Sequence, residues 1–398
     1  MIGSHLSVAG GVHKAVEQAA AMGLECVQVF TKNQQQWSAP PMEERAVELW
    51  RRAMDAAGWS PETRAVSHAS YLINLASDGE LRRKSLALMR DEIERCRRLG
   101  IGTLVVHPGS AGGASGDGDR AAAMERVARA CAELIAQTQG SGVRLCLENV
   151  AGAGSTLGGT LQELARMRAR ALELSPQPER LGVCLDTCHA HAAGYDLSTA
   201  GSAREWIDLA LGTLGPGVVG ALHCNDSKGA AGSRLDRHQH VGAGTIGWAG
   251  FWAVMHEPAW ADLPMILETP KGTDAAGSDL DLLNAARLRA LARCSSEQGP
   301  AALAAIPLQL GAPADRPSRP RPTPNPEPVA RQRATAAEAS QQTAEPPTKP
   351  SQPKPSQPKA KPRAKASAST PKGKARPPTG RAPAPKADAG KPGRGSRR

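Results

Sequence analysis

Eight short apolar runs alternate with longer amphipathic stretches over residues 1–297, and this alternation restricts the chain to few folds. The runs are IGSHLS, LECVQVF, RAVSHAS, IGTLVVHPG, GVRLCLEN, LGVCLDT, VVGALHCND and PMILETP, and each reads as a strand. Between them, EERAVELWRRAMDAAG, ELRRKSLALMRDEIERCRRLG and AMERVARACAELIAQTQ carry apolar residues at three-to-four spacing, the pattern of helices with one buried face. A last helical stretch, DLDLLNAARLRALARC, closes the series. Repeated βα units imply a parallel sheet. Eight of them predict a TIM (β/α)8 barrel over residues 1–297 rather than an open doubly wound sheet. No GxGxxG follows the first run, and no GxxxxGK[ST] occurs.

In such a barrel the carboxyl ends of the strands form the working face, where side chains from different loops converge. The polar residues fall at those ends: His68, His107, Glu148, Asp186 with His189, His223, and Glu268. The seventh loop adds SRLDRHQHVG, with Asp236, His238 and His240 in alternation. A lone histidine after an apolar run is commonly a hydrogen-bonded core residue. A carboxylate ending VRLCL or PMIL is costly to bury unless a cation or donor meets it. Together these ends predict a multinuclear metal site with mixed nitrogen and oxygen ligands, which suits zinc or manganese.

Five imidazoles and four carboxylates are too many ligands for one tetrahedral ion and suit three if a carboxylate bridges. Three divalent cations against four carboxylates leave a net charge of about +2, which attracts a phosphodiester. Coordination also lowers the pKa of water from 15.7 towards about 7, and ions roughly 3.5 to 4 Å apart hold attacking and leaving oxygens in line. The chemistry these residues point to is hydrolysis of a phosphate ester. Spacing by itself leaves open whether His189 or His191, and whether His238 or His240, takes part.

Seven blocks carry a resemblance: FTKNQQQW (Phe30 to Trp37), HASYLINLAS (His68 to Ser77), HPGS (His107 to Ser110), LENVAGAGSTLG (Leu147 to Gly158), GVCLDTCHAHAAGYDL (Gly182 to Leu197), LHCNDSKGAAGSRLDRHQHVGAGTIG (Leu222 to Gly247) and ILETP (Ile266 to Pro270). In this order they resemble the endonuclease IV family of apurinic/apyrimidinic endonucleases, from residue 1 to about 297. The resemblance implies a TIM barrel with three zinc ions, manganese being an acceptable occupant of one site. It implies cleavage of duplex DNA 5′ to an abasic site, leaving a 3′-hydroxyl and a 5′-deoxyribose phosphate, and removal of 3′-blocking groups. Carried over, His68 and His107 hold a first ion, and Glu148 bridges it to a second bound by Asp186, His223 and Glu268. His189, Asp236 and His238 hold a third. The resemblance thus selects His189 over His191 and His238 over His240, and makes Glu148 the catalytic residue that orients the attacking water. Loops of this family wedge into the minor groove. Tyr71 matches an inserted tyrosine, and Gln35 stands where relatives commonly carry arginine. Lys32, Asn33, Asn225, Lys228 and Arg234 are expected phosphate contacts.

Charge separates the rest of the chain. Residues 311–398 hold 20 Lys and Arg against 5 Asp and Glu, a surplus of 15, while the whole chain is +11, so the first 310 residues carry −4. The stretch has no Phe, Trp or Tyr and is built from Pro, Lys, Arg, Ala and Ser. It is expected to be disordered from 298 to 398, a polycation that contacts nucleic acid without reading sequence. A coil of 88 residues has an r.m.s. span of roughly 50 Å, on the order of 15 base pairs. The eight cysteines show no repeated CxxC and suit a reducing compartment. With no signal-like start and no long apolar window, the protein is expected to be a cytoplasmic monomer, on the nucleoid if bacterial.

Two other readings compete. A sugar isomerase or epimerase uses the same barrel type with one or two metals, but the SRLDRHQH loop supplies a third set of ligands that proton abstraction does not require. A scaffold acting through its basic tail would not need ligands at nine positions.

Overall fold

The structure, a computed structural model, describes residues 1–113 and 116–310. The basic stretch from 311 lies outside the described residues. Eight parallel strands close into a barrel: β1 (Ile2–His5), β2 (Cys26–Val29), β3 (Ala65–His68), β4 (Thr103–Val106), β5 (Arg144–Glu148), β6 (Leu181–Asp186), β7 (Val219–His223) and, after a two-stranded ladder β8 (Asp226–Ser227) and β9 (His238–Gln239), the closing β10 (Met265–Leu267). Ile2 pairs with Met265 and Gly3 with Ile266 where the barrel shuts. All eight expected strands form, and the fold is a TIM barrel.

Strand parity sorts the buried side chains into two groups. Val27, Leu104, Val106, Leu145, Leu147, Val183, Leu185, Leu222 and Leu267 face outward and pack beneath the helices. Cys26, Val66, Val105, Cys146, Cys184, Ala221 and Ile266 form a separate cluster inside the barrel. Gly3 belongs to that interior: a Cβ there would collide with the Cys26 carbonyl oxygen, so only glycine lets β1 approach β2.

The helices are α1 (Val12–Ala21), α2 (Glu44–Ala57), α3 (Pro61–Arg64), α4 (Gly79–Leu99), α5 (Asp117–Gln137), α6 (Leu161–Leu174), α7 (Thr187–Ala193), α8 (Ala200–Leu214), α9 (Gly247–Met255), α10 (Leu280–Leu291) and α11 (Gly299–Ala304). In α4, Leu86, Met89, Ile93 and Cys96 make one buried stripe. The helix stops at Gly100, whose left-handed φ of 73° lets Ile101 N–H reach back to the Cys96 carbonyl at 2.9 Å. No described helix is long and apolar enough to cross a membrane.

The packed body runs past residue 297, where sequence alone places the start of the tail. Leu303 of α11 is buried, and a Cβ on Gly242 would collide with its Cδ1. Arg287 donates to the Ile306 carbonyl at 2.7 Å, and Ala275 N–H to the Gln309 carbonyl at 2.7 Å. The segment is short and weakly amphipathic, so its one anchoring leucine is not distinguishable from a linker residue until Gly242 is beside it.

Candidate metal centre

Two residues beyond each member of the interior apolar cluster the chain reaches the carboxyl end of its strand, still facing inward. Cys26 leads to Gln28, Val66 to His68, Val105 to His107, Cys146 to Glu148, Cys184 to Asp186, Ala221 to His223 and Ile266 to Glu268. On β1, Gly3 leads to His5. The barrel interior is thereby closed at one end by eight polar side chains, six of which are expected ligands.

Glu148 sits at the centre, fully buried. Its Oε2 lies 3.1 Å from His68 Nε2 and 3.1 Å from His107 Nε2. Its Oε1 lies 2.9 Å from His223 Nδ1 and 3.3 Å from His189 Nδ1. His223 Nδ1 is also 3.2 Å from Glu268 Oε2 and 3.8 Å from Asp186 Oδ2. On the other side, Asp236 Oδ1 lies 3.3 Å from His189 Nε2 and 3.4 Å from His238 Nε2. Three groups result in which the potential ligand atoms lie within 4.8 Å of one another: His68, His107 and Glu148; Glu148, Asp186, His223 and Glu268; and His189, Asp236 and His238. The first two share Glu148. A further group, Asp186, Cys188 and His238, brings in a thiol. Burial pushes that thiol up to about 12, so Cys188 stays protonated beside the carboxylates.

Burial alone would raise the Glu148 carboxyl, but His223 and His107 hold it well below the usual carboxylate range. Burial opposes charge on His189, yet Asp186, Asp236 and Glu148 keep its ring well above the usual value. Protonated imidazoles thus balance the carboxylates when no cation is present, and divalent ions would displace those protons. The donor set fits such ions: His238 Nε2 is buried, has no hydrogen-bond partner among the described residues, and faces Asp186 and Asp236. Three histidines are oriented alike, with the Nδ1–H given to a backbone carbonyl and Nε2 turned into the site. His68 donates to Ala69 O at 2.7 Å, His189 to Asn149 O at 2.9 Å and His238 to Glu268 O at 3.0 Å.

His189 stands in the first turn of α7 rather than in a loop. Asp186 caps that helix, Oδ1 accepting His189 N–H at 2.8 Å, so strand end and helix start bring both residues to the site together. His191 and His240 are held away from the cluster. The first is buried between Leu197 N–H and Thr245 Oγ1, the second beside the Asn284 amide.

The expected DNA contacts divide. Gln35, Asn33, Lys228 and Arg234 are exposed, and Tyr71 is 58% exposed at the rim, its ring 5.2 Å from that of His68 and 5.7 Å from that of His107. Lys32 and Asn225 are not available to a phosphate. Lys32 is buried, and its ammonium donates to the carbonyls of Asn33 and Gln36, fixing that loop from below. Asn225 is fully buried, its Nδ2 donating to Asp186 Oδ2 and its Oδ1 accepting Glu268 N–H, both at 2.7 Å. Both were expected as contacts because they are polar loop residues; packing turns each inward. Three residues outside the expected set, His5, Gln28 and Asn149, bind the ligands from behind. The signal for the first two is their strand position, two residues past an inward-facing one.

Comparisons with known proteins bear on the fold and the family. The xylose isomerase-like TIM barrel family matches residues 16–286. A protein of Chloroflexus aurantiacus named "Probable endonuclease 4" is 42% identical over 290 residues, covering 73% of this chain and 97% of its own. One of the same name from Oleidesulfovibrio alaskensis is 45% identical over 296 residues, covering 73% and 95%. Among solved structures, endonuclease IV from Thermus thermophilus is 37% identical with a TM-score of 0.60, covering 73% of this chain and 98% of that one. Likeness to a D-tagatose 3-epimerase-like protein, at 18% identity and a TM-score of 0.53 over 71% of this chain and 93% of that one, is a likeness of fold alone. With relatives above 40% identical matched over nearly their whole length, this chain belongs to the endonuclease IV family of xylose isomerase-like TIM barrels.

Proposed function

We propose that the protein is a zinc-dependent phosphodiester hydrolase of DNA repair that cuts duplex DNA on the 5′ side of abasic sites. The observation that carries this is Glu148, whose two oxygens face two different sets of imidazoles in a fully buried position. Three bound zinc ions would be held by the three groups around it, and when bound they supply the positive charge that draws in a phosphate and acidifies water. Glu148 orients the attacking water through the oxygen nearest it. Asp236, the most exposed of the four carboxylates, stands where the DNA backbone enters, with His189 and His238 on either side of its Oδ1. Water adds to phosphorus, the bond to the O3′ of the preceding nucleotide breaks, and the proton passes to that O3′. A 3′-hydroxyl and a 5′-deoxyribose phosphate result, and the same displacement trims blocked 3′ ends.

Tyr71, Gln35, Asn33, Lys228 and Arg234 lie exposed where a wedge and phosphate contacts would engage the duplex. The basic stretch from 311 adds sequence-independent attraction to DNA, and the protein works as a cytoplasmic monomer, on the nucleoid in a bacterium. The deciding experiment is incubation with a duplex carrying one tetrahydrofuran abasic analogue, zinc supplied. A single nick 5′ to the analogue supports the reading, and an intact strand sinks it. Deleting residues 311–398 is expected to leave the nick in place and flatten the salt dependence of DNA affinity. An unchanged slope would remove the tail from the reading.

A further inference from the structure

Of the eight polar residues that close the barrel end, His5 and Gln28 belong to none of the ligand groups, and both lie against residues that do. Gln28 is fully buried on β2. Its Nε2 is 2.7 Å from Glu268 Oε1 and 2.9 Å from His5 Nδ1, and its Oε1 is 2.9 Å from His223 Nε2.

The chemistry of the partners settles which way the amide points. An ionised carboxylate only accepts hydrogen bonds, so the amide NH2 faces Glu268, and the amide oxygen therefore faces His223. One amide hydrogen goes to Glu268 Oε1, which His5 Nδ1 also approaches at 3.2 Å. The oxygen accepts a hydrogen from His223 Nε2. With Nε2 bound to the amide oxygen, Nδ1 is the nitrogen that faces Glu148 Oε1, Asp186 Oδ2 and Glu268 Oε2, where a divalent ion would take the place of the proton it shares with them.

His223 is the exception in this cluster. His68, His189 and His238 give Nδ1–H to backbone carbonyls and turn Nε2 inward. A backbone carbonyl is part of the strand or loop and needs no particular side chain. His223 turns Nδ1 inward, and its Nε2 meets a side chain from the opposite part of the barrel instead. The orientation of this one ring is therefore encoded at a position remote in sequence.

We infer that Gln28 is a positioning residue of the metal centre: its single amide turns His223 so that Nδ1 faces the carboxylates and at the same time pins Glu268 through Oε1, which leaves Oε2 facing His223 Nδ1. This rests on the proposed metal centre and predicts which of its ions depends on β2. Among the described residues, Gln28 hydrogen-bonds to ligands of the group formed by Glu148, Asp186, His223 and Glu268 and to no ligand of the other two groups.

The test uses the full chain with histidine labelled in ¹⁵N and zinc alone as probe. Gln28→Met keeps the volume and removes the hydrogen bonds to Glu268 and His223. It is expected to hold one zinc ion about 10- to 100-fold more weakly against a competing chelator, with the other two unchanged, and to lose the His223 Nε2–H signal. Gln28→Glu retains an acceptor facing His223 and is expected to keep that signal, a rescue that a packing role would not produce. Three ions held as tightly as in the parent, with His223 unchanged, overturn the assignment alone. Equal weakening of all three ions in Gln28→Met also overturns it, since that marks a general loss of packing. Failure of the unaltered protein to take up zinc overturns the metal centre itself, and the assignment with it.

Discussion

The Asn225 amide donates to Asp186 Oδ2 at 2.7 Å, tying the residue two beyond the end of β7 to the end of β6. The same side chain accepts Glu268 N–H at 2.7 Å, so one buried amide sets the spacing of two carboxylates from different strands. Asn225→Ala leaves a buried N–H unpaired and removes a donor from a carboxylate. Each such loss costs about 1–3 kcal/mol. The expected result is a chain destabilised by a few kcal/mol in urea whose DNA affinity keeps the parental salt slope. A stable variant with a shallower slope would return Asn225 to the DNA surface.

Lys32 belongs with Asn225, whereas Lys228 and Arg234 are exposed. Replacing either exposed residue by alanine is expected to reduce the slope of log affinity against log salt by about one. Lys32→Met is expected to leave the slope alone and loosen the Asn33 to Gln36 loop, read as faster amide exchange there. A slope change in Lys32→Met would contradict its burial.

Glu148→Gln retains size and burial but removes the charge that two sets of imidazoles share. Incision of the tetrahydrofuran duplex should fall by about 10² to 10⁴, the range for loss of a positioned acid or base. Duplex affinity should change by only a few-fold, because the exposed rim is untouched. Turnover near the parental rate would remove Glu148 from the chemistry.

Asp226 organises the loop that carries His238. Its Oδ1 accepts Ser227 N–H and Ile246 N–H, and its Oδ2 accepts the N–H groups of Gly242, Gly244 and Gly247 at 2.9, 3.0 and 3.2 Å. Asp226→Asn turns an NH2 group toward donors. Destabilisation of about 3 kcal/mol is expected, with protease cleavage appearing between residues 240 and 247. Resistance equal to the parent would show that the loop is held by other contacts.

Burial pushes the Glu92 carboxyl up to about 7, against the stabilising pull of Ser70 N–H at 3.0 Å. A value raised on folding means that the folded state prefers the protonated form. The stabilisation is complete below the unfolded value near 4.5 and is lost as pH rises through 7. Glu92→Gln mimics the protonated form and keeps an acceptor for Ser70. It should match the parent at pH 4 and exceed it by about 1–3 kcal/mol at pH 8, measured by denaturant unfolding. An equal difference at both values would contradict the shift.

Much of the centre was legible because a barrel maps strand order onto a ring. An apolar run that ends in a carboxylate or imidazole announces both the strand and the direction of its last side chain, as VRLCLE and GALH do. The ends of β1 and β2 follow the same rule, but His5 and Gln28 are ordinary residues for a strand, and nothing local marks them as partners of Glu268 and His223. Asn225 and Lys32 show the converse: loop position and polarity suggest exposure, while their burial comes from residues far along the chain.

The sequence by itself determined the eight strands, the barrel and the residues able to bind metal at its open end, since these follow from periodicity and from the cost of burying an unpaired charge. It also determined the charge division at residue 310. Only the tertiary structure decided which ring nitrogen each histidine presents, that one amide on β2 serves two ligands from β7 and β10, and that residues 299–304 form a helix against the body. Those outcomes depend on hydrogen bonds of about 3 Å between residues far apart in the chain. A one-dimensional pattern carries no record of such distances until the barrel closes.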